Sequence, residues 1–380
     1  MKVIVVGAGI VGANIAYRLA VSGAAVTVVE AGIPGAAASA TSYAWLNSNN
    51  VANPEYHALR CIGVAAYREL ADDLGTSHWL HEVGNLHVDF TPERMQVLID
   101  RVARLRALGY PADVVTPAEA AAIEPALAFI TEPVGGAFFP SEGYVDVTAL
   151  VGELLLRLRA AGGSLVIGRA VALLRGSDRT VTGVRLADGT QLGADAVVLC
   201  TGTGADLLGS ADVDLSLQGG IGASVITNPL PTGLSRVVHL PNLSIRPDGN
   251  GRLLVRAGDV DKLVDTQTMT LARDHIDTLF ARLRAAVPLA GLEVTAVEVR
   301  TAFRPRPPDG LPVVGPVPGL AGAYLVSLHS GVTLGAILGR YVTSEILLGK
   351  TVPTLAPFRA DRLIVAAEDD YEAEAIGAGH

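Results

Sequence analysis

Apolar residues near the N-terminus fall alternately in short runs and at helical spacing. Lys2-Val-Ile-Val-Val6 reads as a buried strand. Over residues 10–22, Val11, Ile15 and Leu19 share one helical face, and Gly23 supplies a stop. Ala25–Glu30 reads as a second strand, so the three segments form a βαβ unit and open a parallel sheet. A loop of small residues follows, over 31–41. Helices are predicted over 55–74, over 93–108, where Met95, Leu98, Val102 and Leu105 line one face, and over 147–161, leading into a strand at Ser164–Gly168.

Val181–Leu186 and Thr190–Leu192 flank Ala187-Asp188-Gly189 and read as a hairpin. Ala196–Cys200 is another buried strand, stopped by Thr201-Gly202-Thr203-Gly204. From 215 to 265 the texture changes to short strands broken by Pro and Gly, such as Arg252–Arg256, which predicts an antiparallel sheet. A helix over 269–287 and a long strand over Leu292–Arg304 come next. A strand at Leu311–Val314, a strand at Ala323–Leu328, a turn at His329-Ser330-Gly331 and a helix from 333 to 348 close the pattern. Residues 366–380 carry five acids and no Lys or Arg, the signature of an exposed tail.

The turn after the first strand carries chemistry. Gly7-Ala8-Gly9-Ile10-Val11-Gly12 matches G-x-G-x-x-G between a predicted strand and a predicted helix. Gly7 permits a tight turn, Gly9 lets backbone approach a pyrophosphate, and Gly12 lets the helix pack closely on the strand. The helix start then offers N–H groups and a positive dipole end to phosphates. Glu30 ends the second strand, 18 residues after Gly12, where a carboxylate accepts from ribose hydroxyls and repels a 2′-phosphate. This disfavours NADP and leaves FAD and NAD both open.

Composition narrows the class. Of 380 residues half are hydrophobic and 18% charged, as in a globular chain with a large core. A net charge of −9 argues against nucleic acid as the main partner, although Arg256, Arg304 and Arg306 are candidates for a local anion site. Cys61 and Cys200 are far apart and outside any CxxC pair, which argues against a zinc or disulfide framework and suits a reducing cytoplasm. His78-Trp-Leu-His81 has metal-like spacing without further ligands nearby, so no metal is expected. No uncharged apolar run reaches the length of a membrane span, and polar Asn14, Tyr17 and Arg18 interrupt the N-terminal apolar stretch.

The C-terminal part reads Arg304-Pro-Arg-Pro-Pro-Asp-Gly-Leu-Pro-Val-Val-Gly-Pro316 and then Gly322-Ala-Tyr-Leu-Val-Ser-Leu-His-Ser-Gly-Val-Thr-Leu-Gly335. Together with the N-terminal turn and Val197-Val-Leu-Cys-Thr-Gly202, it resembles the FAD-dependent D-amino acid oxidase family, which holds glycine oxidase, sarcosine oxidase and D-amino acid dehydrogenase. Residues 80–140 and 215–295 match no motif. The resemblance implies an α/β fold in which a Rossmann-like FAD-binding domain is interrupted by a substrate domain on an antiparallel sheet. The expected division is residues 1–80, 141–214 and 305–365 for the first and 81–140 and 215–304 for the second, with 366–380 as an acidic tail.

By the same resemblance the cofactor is FAD, held without a covalent bond because Ser42-Tyr43 and Phe303-Arg304 stand where some members attach it through His or Cys. The implied cofactor contacts are Gly7, Gly9, Ile10, Val11, Gly12, Glu30, Ala31, Ser39, Thr41, Ser42, Val171, Thr201, Gly202, Gly331, Val332, Thr333 and Leu334. Arg304 is implied to pair with a substrate carboxylate through its planar fork. His329 and Asn47 are further candidates for a role at the substrate, and Tyr43 and Trp45 for lining its pocket. The expected reaction is oxidation of a C–N bond in a small amine or amino acid, with O2 or another acceptor taking the electrons. A 2-hydroxy acid or N-methylated amine substrate, and an NAD-dependent dehydrogenase, are the alternatives.

Overall fold

A computed structural model describes residues 1–129, 131–203, 206–209 and 219–365. The chain divides into two compact units. The first comprises Met1–Ala40, Val147–Gly220 and Phe303–His380, and the second Thr41–Asp146 and Ile221–Ala302.

In the first unit a six-stranded sheet runs in the order Val313–Pro316, Ala323–Ser327, Ala196–Leu199, Lys2–Val6, Ala25–Glu30, Ser164–Ile167. Its pairings are parallel except for the edge pair Val313–Pro316 with Ala323–Ser327. A parallel sheet needs both faces covered, and the central strands are accordingly apolar throughout. A three-stranded antiparallel sheet covers one face, packing Leu173, Val181, Val184 and Leu186 against Ile4, Val6, Val29, Val197 and Leu199. The first helix, Ile10–Val21, packs against Val147–Ala160 and Gly331–Leu348. Gly339 permits the second contact, since a Cβ there would lie 2.9 Å from the Asn14 carbonyl oxygen. Gly331–Leu348 is long and apolar enough to cross a membrane, yet more than half of it is buried within the protein.

The second unit is built on an eight-stranded sheet: Ala296–Pro305, Gly219–Thr227, Leu253–Arg256, Leu243–Pro247, Val237–Leu240, Asn85–Asp89, Gly135–Phe139, Asp113–Val115. Of its described pairings, Val237–Leu240 with Asn85–Asp89 is parallel and the rest are antiparallel. One face packs Val225, Val238, Ile245 and Val255 against Ile276, Leu279, Phe280 and Leu283 of helix Arg273–Ala286. Helix Pro92–Ala107 buries Met95, Leu98, Val102 and Leu105, the face its spacing predicted, with Ala137 and Phe139.

The unit boundaries differ from those expected. Residues 41–80 and 141–146 belong to the second unit because Trp45–Leu46 and Leu80–His81 both pair with Gly143–Val145. Strands this short give no periodicity to read. The helix expected over 269–287 begins at Arg273, since Asp265 and Thr270 close a turn in which Asp265 accepts the N–H groups of Gln267 and Thr268. The last helix begins at Gly331, two residues before the expected start. Helix Pro117–Ile123 was not anticipated, although Thr116 and Glu119 form a capping box legible as Thr-Pro-Ala-Glu. Gly204 and the tail 366–380 lie outside the described residues.

Candidate active site

The glycine turn of the first unit is built of backbone that excludes side chains. Gly7 has φ +102°, and a Cβ there would run into the Cys200 carbonyl oxygen. A Cβ on Gly12 would strike the Gly7 carbonyl oxygen and come within 3.3 Å of the Cys200 Cβ. Gly9 caps the first helix without any side-chain hydrogen bond, and a Cβ there would stand 3.1 Å from Ser39 Oγ. Ser39 Oγ accepts the Ile10 N–H at 3.0 Å, so Ser39 is joined to the motif. Val11 follows Ile10 in that first turn of helix.

Glu30 folds back over the turn. Its Oε2 accepts the Ala8 N–H at 2.7 Å and its Oε1 the Gly32 N–H at 2.9 Å. A carboxylate offers about four lone-pair positions, so these bonds leave acceptor capacity for ribose hydroxyls. Ala31 beside it is exposed, and Val171 is 36% exposed on Ala170–Arg175. Thr201 and Gly202 follow the strand Ala196–Leu199, Gly202 with φ +65°. Cys200, expected to be buried, is half-buried as a residue. Loss of solvation around its thiol pushes the pKa up to about 12, so it is no nucleophile.

The last helix begins beside the first. A Cβ on Gly331 would lie 3.2 Å from Val11 Cγ2 and 4.0 Å from Ile10 Cγ2. Two helix N-termini, from opposite ends of the chain, therefore converge. Val332, Thr333 and Leu334 are buried there, and His329 is exposed. Arg304 is half-buried and Arg306 exposed. Asp309 shapes its turn by accepting the Leu311 N–H and pairs with Arg362 at 2.6 Å. This glycine cradle, with a carboxylate at the end of the second strand, fits the diphosphate and ribose of FAD.

The remaining candidates belong to the second unit. Thr41 is buried, and its carbonyl accepts from Ser224 Oγ at 2.6 Å. Ser42 Oγ accepts the Ala44 N–H, and Asn47 Nδ2 donates to the Trp45 carbonyl at 3.3 Å. Tyr43 donates its hydroxyl to the Ile245 carbonyl at 2.6 Å, and Arg246 Nε donates to the Tyr43 carbonyl at 2.7 Å. Arg246 also lies 4.7 Å from the centre of the Tyr144 ring, against which His81 stacks. His81 thus belongs to a ring stack, while His78 Nδ1 bonds Thr76 Oγ1. Among the described residues no cluster of metal-ligating side chains occurs.

Sequence reasoning missed the centre of this unit, Glu142. Its carboxylate accepts from Trp45 Nε1 at 2.9 Å, Asn85 Nδ2 at 2.8 Å, Asn49 Nδ2 at 3.3 Å and Tyr110 Oη at 2.7 Å. Burial raises its pKa from 4.5 to about 7 in spite of these donors. The one local clue is a lone acid between the apolar stretches Phe138-Phe139 and Tyr144-Val145. Next to it, Trp45 lies 4.3 Å from the His239 ring centre, and His239 lies 4.6 Å from His87.

A glycine cradle on a parallel sheet, with a mixed sheet carried in a second unit, defines a dinucleotide-binding oxidoreductase architecture. The chain belongs to the FAD-dependent oxidoreductase (DAO) family, whose family model matches residues 2–345. It is 29% identical over 369 residues to the uncharacterized oxidoreductase YurR of Bacillus subtilis, covering 93% of this chain and 97% of that protein. It is 28% identical over 373 residues to glycine oxidase of Geobacillus kaustophilus, covering 95% and 97%. The crystal structure of glycine oxidase from Geobacillus kaustophilus superposes with a TM-score of 0.82 at 25% identity, covering 94% of this chain and 98% of that one. The expected family, the α/β fold with a Rossmann-like FAD-binding part and a substrate domain, and the dependence on FAD all hold, and the NAD-dependent alternative falls.

Proposed function

We propose that this FAD-dependent oxidoreductase oxidises the C–N bond of a small amino acid or amine, with the cofactor held noncovalently. The convergence of the two helix N-termini at Gly331 and Val11 carries the reading, because it gathers positive dipole ends where a dinucleotide sits on the cradle. Bound FAD supplies the acceptor for the hydride leaving the substrate Cα, and O2 or another acceptor restores it. Gly7, Gly9 and Gly12 admit the diphosphate, with Ser39 fixing the turn, and Glu30 receives ribose hydroxyls. Arg304 takes the substrate carboxylate in its planar fork and so orients the Cα–H. His329, exposed at the start of the last helix, and Asn47 complete the candidate set. The similarity to glycine oxidase of Geobacillus kaustophilus supports a small amino acid as substrate.

The test is the visible spectrum of the purified protein before and after anaerobic addition of glycine, sarcosine and mixed D-amino acids. Yellow colour that bleaches with one of these supports the reading. Bleaching with 2-hydroxy acids alone would overturn it. Arg304→Ala should keep the colour and lower the apparent second-order rate of bleaching by carboxylated substrates about 100-fold. Unchanged bleaching would remove Arg304 from the site.

A further inference from the structure

The eight-stranded sheet of the second unit ends differently on its two sides. Among the described residues, Asp113–Val115 closes one side and Ala296–Pro305 the other. An edge strand offers a row of backbone N–H and C=O groups to any chain that can lie beside it. Asp113–Val115 offers little. It is three residues long, and Arg106 bonds both the Ala112 carbonyl just before it and the Asp113 carboxylate. Ala296–Pro305 is ten residues long, and its residues up to Ala302 belong to the second unit. Before Pro305 it contains neither Pro nor Lys, two residues that commonly guard an edge.

Residues 296–299 of this strand are all exposed, Val297 at 53% and Val299 at 37%. The run closes at Thr301, whose hydroxyl donates to the Met269 carbonyl. Alternation puts Val297, Val299 and Thr301 on one face and Glu298 and Arg300 on the other. The two charged side chains pair along the strand, Arg300 Nε and Nη2 donating to the two Glu298 carboxylate oxygens at 2.7 and 2.6 Å. The edge therefore presents an anion and a cation two residues apart, with Val299 between them.

We propose that Val297–Thr301 is the edge through which two copies of this chain associate, antiparallel about a two-fold axis at Val299. Both copies bring the same alternate backbone groups to this edge, so the possible registers differ by steps of two residues. In the register centred on Val299, that residue lies against itself, and Val297 lies against Thr301 of the partner subunit. Glu298 lies against Arg300 of the partner subunit, and the symmetry makes this contact twice. A slip of two residues one way sets Glu298 against itself, and a slip the other way does the same to Arg300. Like charges directly opposite destabilise a strand pair, so charge selects the one register. The occupant is a second copy because the complement of this edge is the edge itself. The association is independent of which substrate the flavin oxidises.

The test is sedimentation velocity of the FAD-loaded protein across the micromolar range. The wild type should show a monomer–dimer equilibrium with a Kd of about 10 μM, since five residues a side bury less than a standard interface. Glu298→Arg and Arg300→Glu should each weaken self-association about 30-fold, because each sets like charges opposite one another twice. An equimolar mixture of these two variants should recover the wild-type affinity, because every cation of one then faces an anion of the other. The double variant carrying both substitutions restores the alternation and should dimerise like the wild type. Val299→Lys, which sets two ammonium groups on the axis, should leave a monomer. Far-UV circular dichroism unchanged from the wild type marks each variant as folded. A wild type that stays monomeric, a dimer that neither single variant weakens, or a mixture that fails to associate overturns the proposal.

Discussion

The two units solve their polar problems in opposite ways. Around the glycine turn of the first, the groups offered to a ligand are mostly backbone N–H, and side chains are removed to expose them: Gly7 and Gly12 tolerate no Cβ. In the second unit the chemistry is carried by side chains held in place by other side chains, as Glu142 gathers Trp45, Asn49, Asn85 and Tyr110. The backbone site is announced by a few adjacent residues, although Cys200, Glu30 and Ser39 pack against or bond to it from further along the chain. A side-chain network depends on segments far apart in the chain, and each member left without its partner carries a desolvation cost.

Substitutions sharpen this contrast. The largest effect is expected at the turn: Gly12→Ala places a methyl against the Gly7 carbonyl, and FAD affinity should fall about 1,000-fold, ~4 kcal/mol, leaving a colourless purified protein. A variant that stays yellow with unchanged affinity would deny that backbone access governs this unit.

Next comes Glu142→Gln, which presents an amide N–H₂ to donors that need acceptors. Its stability should drop by about 3 kcal/mol in urea unfolding at neutral pH. The wild type should also lose stability as pH rises from 4.5 to about 7. In that window the unfolded chain releases the Glu142 proton and the folded chain retains it, so the loss is complete above the folded-state value. The variant should lack this component of the slope, and an identical slope in both proteins would assign the titration elsewhere.

Gly339→Ala pushes a methyl to within 2.9 Å of the Asn14 carbonyl oxygen, and thermal unfolding should show a loss of about 2 kcal/mol. The smallest effect is expected at Asn53, whose side chain accepts the Tyr56 N–H to cap helix Pro54–Leu74; Asn53→Ala should cost about 1 kcal/mol. If that loss exceeded the one at Gly339, local capping rather than helix-to-helix approach would limit stability.

Legibility in the sequence followed the range of the interactions. Helix Pro92–Ala107 and the first βαβ unit were readable because their periodicity and stops lie within a few residues. Thr41, Ser42 and Asn47 were named as site candidates by resemblance, yet their described bonds tie them to Ser224, Ala44 and Trp45 within the second unit. The boundary at 40 rather than 80 followed from strands of two residues pairing with Gly143–Val145, which no local pattern announces.

The sequence by itself determined the phosphate cradle, the parallel sheet beneath it and the family, since glycine spacing and apolar periodicity are local properties of the chain. Only the tertiary structure decided that Glu142 sits at a buried hub and that Arg256 stands in line with Ser244, His239 and His87. Those relations are set by strand register between segments up to well over a hundred residues apart, and a register slip of one residue would turn every one of these side chains to the other face.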